Sequence, residues 1–398
     1  MMIEKGEPCY PDYEESIMNL SCSIQNYYGI EPLHKTLPQV DEILSHNHKH
    51  VVVILLDGLG MNILEDNLTY HDFLRRHLLT DYSSVFPPTT VASTTSFLSG
   101  KSPIEHGWLG WDVHFEQENK TITCFHNTFQ GTTEQAAEYN IPRKYLPYKN
   151  IVEQINEAGT AKANLIFPFG PEAHSELYDW IGAIKKSISQ EGKTFTYAYW
   201  ENPDHLLHQL GNKDRDVEKV IRDINAALVE LCENAKDTVF FITADHGHTA
   251  IQNVFLEEDY PNIFNMMERQ TSIEPRAISF YVKPEYKDVF ADEFNKYFGN
   301  DYVLYTKEQI LKEQLFGDGE PNENLTGIGD FVAAGISHKT ILWNKKQKKF
   351  RSHHAGLTKE EMRIPLIWYE TKPKKPFLFW YYTIVGIVIF FLIYILMQ

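Results

Sequence analysis

The sequence has little positive charge, few cysteines and no repeated or low-complexity segment. In its 398 residues, 37 lysines and arginines stand against 54 aspartates and glutamates, which gives a formal net charge of −17 at pH 7. This balance leaves no basic face of the kind that duplex nucleic acid requires. It does not exclude a phosphorylated substrate, because bound divalent cations reverse the sign of the charge around them.

The four cysteines, Cys9, Cys22, Cys124 and Cys232, lie far apart and form no pair typical of a metal or redox site. We expect them to be reduced structural thiols. The first thirty residues contain no apolar run, so they show no secretory signal. Both features favour a reducing compartment for the main domain.

Strand-like and helix-like patterns alternate along the main part of the chain. Aliphatic and aromatic runs predict strands at Val51–Leu56, Ala163–Phe167, Thr194–Trp200 and Thr238–Thr243. Amphipathic patterns predict helices around Tyr10–Tyr28, Ile151–Glu157, Ser175–Ser189 and Arg215–Asn234. This alternation predicts an α/β fold with a mostly parallel central sheet flanked by helices.

We divide the chain into an N-terminal helical extension over residues 1–46, a main domain over 47–371 and a C-terminal apolar segment. The region 255–345 is less regular, with strand-like pieces at Ala277–Val282 and Lys339–Trp343 and a helix near Tyr286–Phe298. We interpret this region as a smaller subdomain that is inserted into the main domain and packs beside the sheet.

The C-terminal segment 377–397 carries no charge and is rich in isoleucine, phenylalanine, leucine, valine and tyrosine. Its length suits a helix that crosses the hydrocarbon core of a membrane. Lys372, Lys374 and Lys375 precede it on the side of the main domain, so the positive-inside rule places that domain in the cytoplasm. The sequence therefore predicts a single-pass protein of the cell membrane with a cytoplasmic main domain.

Acidic residues and histidines follow three of the predicted strands. Asp57 follows the first strand directly, Asp204 comes soon after the third, and Asp245 and His246 follow the fourth. Ligands of open α/β sheets bind at the carboxyl ends of the strands. His208 would share one helix face with Asp204, because the two are four residues apart. Carboxylates and imidazoles together form the kind of site that zinc or manganese prefers.

Each of these residues also has an ordinary explanation when it is taken singly. Asp57 and Gly58 form an Asp-Gly pair, which after a strand is usually a turn. An aspartate four residues before a histidine is common by chance. The adjacent His353 and His354, late in the chain, add two imidazoles. The combined pattern, not any single residue, predicts the metal site.

A segment rich in hydroxyl groups supplies candidate nucleophiles. Thr89, Thr90 and Ser93 open a run of small residues that ends at Gly100. Two metal ions about 4 Å apart stabilise both the attacking and the leaving oxygen of a phosphoryl transfer, and a covalent route needs a hydroxyl beside one of them. The local pattern does not choose between Thr89 and Thr90, and either threonine would serve equally well as a helix N-cap.

The segment Tyr199–Gly211 resembles the signature of nucleotide pyrophosphatase/phosphodiesterases, in the alkaline phosphatase superfamily, which reads Tyr-x-Glu-x-Pro-Asp-x-x-x-His-x-x-Gly. The remaining elements follow the same order, with a strand before Asp57, a hydroxyl segment that closes in Ser-Gly, the pair His106-Gly107, an Asp-His-Gly and a late histidine. The resemblance extends over about Val51–Trp368. It implies an alkaline phosphatase-like α/β fold and makes 47–371 a phosphodiesterase catalytic domain.

The resemblance also implies two metal sites, with zinc as the metal and manganese as an alternative. In the family the nucleophile stands ten residues before the glycine that closes its segment, which selects Thr90. The implied ligands are Asp57, Thr90, Asp245 and His246 for one ion, and Asp204, His208 and His354 for the other. His354 is preferred to His353 because the family histidine stands two residues before a glycine, here Gly356.

One departure from the family pattern concerns phosphate recognition. The family has Phe-Pro-Asn after the nucleophile, and this chain has Val91-Ala92-Ser93. By this resemblance Ser93 takes the place of an asparagine that donates to a phosphate oxygen. A serine hydroxyl has a shorter reach, which weakens the expected stabilisation of the transition state.

The implied activity is metal-dependent hydrolysis of phosphodiester or pyrophosphate bonds through a phosphothreonine intermediate on Thr90. Trp108, Trp111 and Trp200 are candidates for stacking a nucleobase, although such residues more often pack in a core. A phosphomonoester or phosphonate hydrolase of the same superfamily is an alternative. A membrane-tethered scaffold without activity is another, and the presence of all the implied ligands argues against it.

Overall fold

The computed structural model describes residues 6–170 and 173–371. The segment 377–397, where the sequence predicts a transmembrane helix, lies outside these residues. Within the described residues, no helix combines the length and the apolar character needed to span a membrane.

The structure consists of strands and helices that largely alternate along the chain. The strands are β1 His50–Leu56, β2 Leu78–Ser83, β3 Asp112–Phe115, β4 Lys120–Thr123, β5 Thr128–Phe129, β6 Lys162–Ile166, β7 Thr194–Trp200, β8 Thr238–Thr243, β9 Thr249–Ala250, β10 Gln252–Phe255, β11 Ser272–Ile273, β12 Ala277–Phe280, β13 Tyr302–Thr306, β14 Phe331–Gly335, β15 Lys339–Leu342, β16 Ser352–His353 and β17 Arg363–Glu370.

The helices pack around and between these strands. They are α1 Ile17–Tyr27, α2 Pro38–Leu44, α3 Met61–Asn67, α4 Phe73–Arg76, α5 Thr90–Ser99, α6 Pro103–His106, α7 Ile141–Tyr145, α8 Ile151–Ala158, α9 Leu177–Ser187, α10 Asp204–Leu210, α11 Arg215–Asn234, α12 Leu256–Asp259, α13 Pro261–Asn265, α14 Lys287–Phe298, α15 Lys307–Glu313 and α16 Lys359–Met362, with a 3-10 turn at Pro284–Tyr286.

A six-stranded sheet forms the centre of the molecule, in the order β2-β17-β8-β1-β7-β6. Strands β6, β7, β1 and β8 are parallel, and β17 is antiparallel to both of its neighbours. Every residue of β1, β7 and β8 is buried, as apolar strands covered on both faces must be. The prediction of a mostly parallel central sheet is confirmed, and β17 makes the sheet mixed.

A second, seven-stranded sheet lies outside the central one, in the order β13-β14-β12-β11-β3-β4-β5. All its pairs are antiparallel. It packs against α14 through the aromatic side chains of Phe280, Phe290 and Phe294. Three of its strands come from residues 112–129, so the second sheet is not confined to the region 255–345.

The N-terminal helix α1 is part of the main core. Ile17, Leu20 and Ile24 are fully buried in the same cluster as the strands of the central sheet. Gln25 donates through Nε2 to Gln154 Oε1 at 2.9 Å, which joins α1 to α8. The described part of the N-terminal extension therefore stabilises the main core directly.

Candidate active site

The carboxyl ends of three parallel strands bring polar side chains to one edge of the central sheet. Asp57 follows β1, Asp204 begins α10 just after β7, and Asp245 follows β8. The backbone of Asp57 joins the strand ends, because its N–H donates to Trp200 O at 2.9 Å and its carbonyl accepts from Asp204 N at 3.0 Å. The strand register therefore determines which residues meet.

A first group of residues surrounds the hydroxyl of Thr90, the first residue of α5. Thr90 Oγ1 lies 3.3 Å from Asp57 Oδ2 and 3.3 Å from His246 Nε2. His246 Nε2 is also 3.3 Å from Asp57 Oδ1 and 3.6 Å from Asp245 Oδ2. The carboxylate of Asp57 also accepts a hydrogen bond from the hydroxyl of Tyr199. All four residues of the first predicted metal site are thus brought together.

A second group surrounds Asp204, and it holds one histidine more than the sequence predicts. Asp204 Oδ1 lies 3.3 Å from His208 Nε2 and 3.8 Å from His354 Nε2. The additional residue is His248, whose Nε2 is 2.7 Å from the same oxygen. These four ligand atoms lie within 4.8 Å of one another. The helical spacing of Asp204 and His208 predicted from sequence is observed.

The ring protons of the histidines point away from the carboxylates. Nδ1 of His208 donates to Ser352 O at 3.0 Å, and Nδ1 of His354 donates to Pro88 O at 3.2 Å. His248 Nδ1 lies 3.1 Å from Ser352 Oγ, whose own proton is directed to a carbonyl, so this nitrogen also carries its proton. Burial lowers the pKa of all three histidines, which keeps the rings neutral. Their Nε2 lone pairs therefore face the carboxylate of Asp204.

The aspartates carry more negative charge than their surroundings compensate. Burial, together with the charges of neighbouring aspartates, raises the pKa of Asp57 and of Asp245 well above the usual range. Asp245 Oδ2 is buried and accepts no hydrogen bond. Imidazole lone pairs thus face a carboxylate, and a buried carboxylate oxygen has no hydrogen bond. A divalent cation would bind such lone pairs and oxygens and compensate the negative charge. The donor set fits metal ions of the zinc type, and it does so at two adjacent places.

A cleft of about 350 Å³ opens next to these residues. Its lining includes Thr89, Thr90, Trp111, Asp204, His208, Glu274, Trp343, Lys348, Phe350, His353 and His354. The cleft lies between the end of the central sheet and residues of the second sheet. A bound molecule would thus contact the hydroxyl of Thr90 and an aromatic wall at the same time.

Ser93 and two of the predicted tryptophans do not reach this cleft. Ser93 is fully buried in α5, and its Oγ lies 2.9 Å from Ser84 Oγ. Trp108 is buried and donates to Leu146 O at 2.8 Å. Trp200 is buried against Trp180, with ring centroids 5.2 Å apart. The structure therefore gives Ser93, Trp108 and Trp200 packing positions, whereas Trp111 lines the cleft.

Sequence reasoning misses two residues of the site, His248 and Glu274. His248 is the last residue of the motif Asp-His-Gly-His, so the motif itself indicated this histidine as a further candidate ligand. Glu274 follows β11 of the second sheet, and no local pattern points to it. Its Oε1 accepts hydrogen bonds from Thr89 Oγ1 at 2.7 Å and from Trp111 N at 2.9 Å. Burial raises the pKa of Glu274 to about 7.

Comparisons with known proteins identify one matching family and several similar structures. Residues 51–357 match the family model described as type I phosphodiesterase / nucleotide pyrophosphatase. No curated protein sequence matches the chain.

Several solved structures share the fold at low sequence identity. Murine ectonucleotide pyrophosphatase / phosphodiesterase 5 is 17% identical with a TM-score of 0.61, over 79% of this chain and 87% of that chain. The human protein of the same name is 16% identical with a TM-score of 0.60, over 80% of this chain and 87% of that chain. An inactive threonine-to-alanine variant of the murine protein, in complex with AMP, is also 17% identical with a TM-score of 0.60, over 79% and 87%.

Proposed function

Because the chain belongs to the family of type I phosphodiesterases and nucleotide pyrophosphatases, we propose that it hydrolyses a phosphodiester or pyrophosphate bond of a nucleotide-like substrate through a covalent intermediate on Thr90. The observation that carries this proposal is the position of Thr90 Oγ1, within 3.3 Å of both Asp57 and His246 and open to the cleft. A hydroxyl becomes a nucleophile when neighbouring groups help remove its proton.

In the proposed first step, Thr90 Oγ attacks phosphorus, the new O–P bond forms, and the bond to the leaving oxygen breaks. The hydroxyl proton passes to Asp57 Oδ2, the carboxylate oxygen beside it. In the second step water attacks the phosphothreonine, the O–P bond breaks, and the hydroxyl of Thr90 is restored. Thr90 opens α5, and the positive end of a helix favours a bound phosphate group.

Two divalent cations, which we propose to be zinc, would be held by Asp57, Thr90, Asp245 and His246 and by Asp204, His208 and His354, with His248 as a further donor. When bound, they supply positive charge that offsets the charge of the phosphoryl group and of the attacking and leaving oxygens. The neutral imidazoles described above are the protonation state that such binding requires, and the raised pKa values of Asp57 and Asp245 mean that a cation bound there would displace their protons.

The cleft supports a diester or anhydride of a nucleotide as the substrate. Trp111 and Phe350 present aromatic surface beside the cluster, and Lys348 adds a positive charge. Among the described residues, those that line the cleft include no arginine, whereas a monoesterase normally places one near the phosphate. AMP bound to the inactive murine relative is consistent with a nucleotide-like substrate.

Thr90→Ala tests the proposal, with Ser99→Ala in the same helix as the matched control. Ser99 Oγ donates to Thr95 O at 2.7 Å and lies outside the cleft lining, so its loss should leave turnover within about twofold. Thr90→Ala should lower turnover of bis-p-nitrophenyl phosphate and of a dinucleoside polyphosphate by about 1000-fold or more. Its zinc content should stay close to that of the wild type.

Near-normal turnover of Thr90→Ala would remove the threonine from the mechanism. Faster hydrolysis of p-nitrophenyl phosphate than of its diester would instead favour a monoesterase.

We further propose, from the apolar segment 377–397, that the protein is anchored in the cell membrane with its catalytic domain in the cytoplasm. Protease protection in intact cells tests this topology, because a catalytic domain that is protected in intact cells and digested after permeabilisation supports it.

A further inference from the structure

A second histidine–carboxylate cluster lies at the edge of the central sheet opposite the cleft. His46 is in the loop after α2, His48 precedes β1, and Glu370 ends β17. Glu370 Oε2 lies 2.7 Å from His46 Nδ1 and 2.9 Å from His48 Nε2. All three ligand atoms lie within 4.8 Å of one another. Two imidazole nitrogens thus converge with a carboxylate oxygen, although the three residues come from opposite ends of the described chain.

The topology of the sheet separates this cluster from the active site. β17 is antiparallel to β8, so its last residue lies at the edge where β1 and β8 begin. The seven residue-to-residue steps from His50 to Asp57 span roughly 23 Å, at ~3.3 Å per residue of a strand. A ligand bound by Glu370 therefore makes no contact with Thr90 or its neighbours.

The surroundings of His48 prepare it to bind a cation. Its side chain is only 3% exposed, and its Nδ1 lies 3.5 Å from Asp237 Oδ1 without a hydrogen bond in the structure. Asp237 Oδ1 is held in place by the N–H of Lys49 at 3.2 Å. Histidines that bind metals commonly direct their second ring nitrogen to a carboxylate, which fixes the ring and raises its basicity. The arrangement Asp237–His48 has this geometry.

His46 gives the cluster access to solvent. Its side chain is 47% exposed, whereas that of Glu370 is 24% exposed. An ion thus has a path into the cluster, and a water molecule has room to act as a fourth ligand. Two nitrogens and one carboxylate oxygen suit zinc, whereas calcium and magnesium prefer oxygen ligands throughout.

We propose that His46, His48 and Glu370 form a third divalent-cation site, specific for zinc over magnesium and calcium, which fastens the loop before β1 to the end of β17. The site is structural. It joins residues far apart in sequence, so binding stabilises the folded chain over the unfolded chain, which lacks the site. It stands independently of the reaction proposed for Thr90.

The double variant His46→Gln/His48→Gln of the full chain tests the site, with His71→Gln/His174→Gln as the matched control. Each protein is stripped with chelator, dialysed against zinc chloride and analysed for bound zinc. The wild type and the control should bind one zinc more per chain than the double variant. Zinc should also raise the Tm of the double variant less than that of the wild type, while turnover stays within twofold.

Equal zinc content in the wild type and the double variant would overturn the proposal, and so would an equal loss in the control. If the double variant does not fold, the single variant His46→Gln provides the test, because it changes only one half-exposed side chain. Glu370→Gln keeps the size of the side chain without its charge, and it should weaken binding of the third zinc at least tenfold.

Discussion

The two edges of the central sheet hold the same kinds of side chain in different electrostatic balance. At the catalytic edge, Asp57 and Asp245 are buried beside the half-buried Asp204, and three histidines direct lone pairs at Asp204. At the opposite edge one carboxylate, Glu370, faces two imidazoles that are able to donate protons to it. The charges at the catalytic edge therefore need cations to balance them, whereas the carboxylate of Glu370 at the opposite edge is already paired by hydrogen bonds and a cation adds further stability.

This difference shows how one ligand chemistry serves two purposes. Unbalanced carboxylates bind metal tightly, but they destabilise the metal-free chain, which is acceptable where charge is needed for a reaction. A cluster whose carboxylate is paired with imidazoles destabilises the metal-free chain only a little. The comparison leads to four predictions, which begin with the largest effect.

We expect Asp245→Asn to have the largest effect and to distinguish the catalytic edge most clearly from the opposite edge. Asparagine keeps the Oδ1 acceptor for Gly58 N and His246 N but removes the buried charge on Oδ2. Loss of a ligand charge should lower turnover by about 1000-fold, since each 1.36 kcal/mol of lost transition-state stabilisation is tenfold. In chelator, the same change should raise the free energy of unfolding by about 1–3 kcal/mol.

The matched change at the opposite edge is Glu370→Gln, which removes a partner of two imidazoles. It should lower the free energy of unfolding in chelator, by up to about 1 kcal/mol because Glu370 is partly exposed. Urea titrations of both variants measure the two effects. Changes of the same sign at both edges would contradict the proposed difference in charge balance.

His248→Gln should have an intermediate effect at the catalytic edge. His248 Nε2 lies 2.7 Å from Asp204 Oδ1, so the ring either binds the cation beside Asp204 or orients this carboxylate. We expect zinc affinity to fall about 10–100-fold, with turnover restored in part by excess zinc. Competition against a zinc indicator measures the affinity. A turnover that falls without any loss of zinc affinity would assign His248 another role.

His106 provides a reference for acid sensitivity, because it is a buried histidine outside both clusters. Its Nδ1 accepts from Trp108 N and its Nε2 donates to Ser96 Oγ, both at 3.0 Å, and burial lowers its pKa to about 3. The unfolded chain has the ordinary value of about 6.5 and binds the proton first, so stability is present above pH 6.5 and is lost as pH falls towards 3.

Between pH 7 and pH 5 this one residue should remove about 2 kcal/mol, at ~1.4 kcal/mol per pH unit. Urea unfolding in chelator at both pH values measures the loss, and His106→Gln should reduce it by that amount. If the variant and the wild type lose equal stability over this range, the acid sensitivity belongs to the two histidine clusters.

Much of the central sheet could be predicted from sequence, because its signals are local. Thr194–Trp200, Thr238–Thr243 and Arg215–Asn234 have the predicted bounds, since long apolar runs and a long amphipathic pattern leave few alternatives. The second sheet is harder to predict from sequence. Its strands β3, β4 and β5 pair locally with one another, but β3 joins the rest of the sheet through Ile273 of β11, and pairing over such a distance in sequence leaves no periodic pattern to read.

The meeting of Asp57, Asp204 and Asp245 follows from sequence alone, because parallel strands end at a common edge. The neighbours that complete the site depend on tertiary packing. Ser93 faces Ser84 inside the core, since the direction of a side chain depends on how its helix is rotated against the sheet. Glu274 and Glu370 reach their clusters from distant strands, and such contacts depend on packing that short stretches of sequence do not encode.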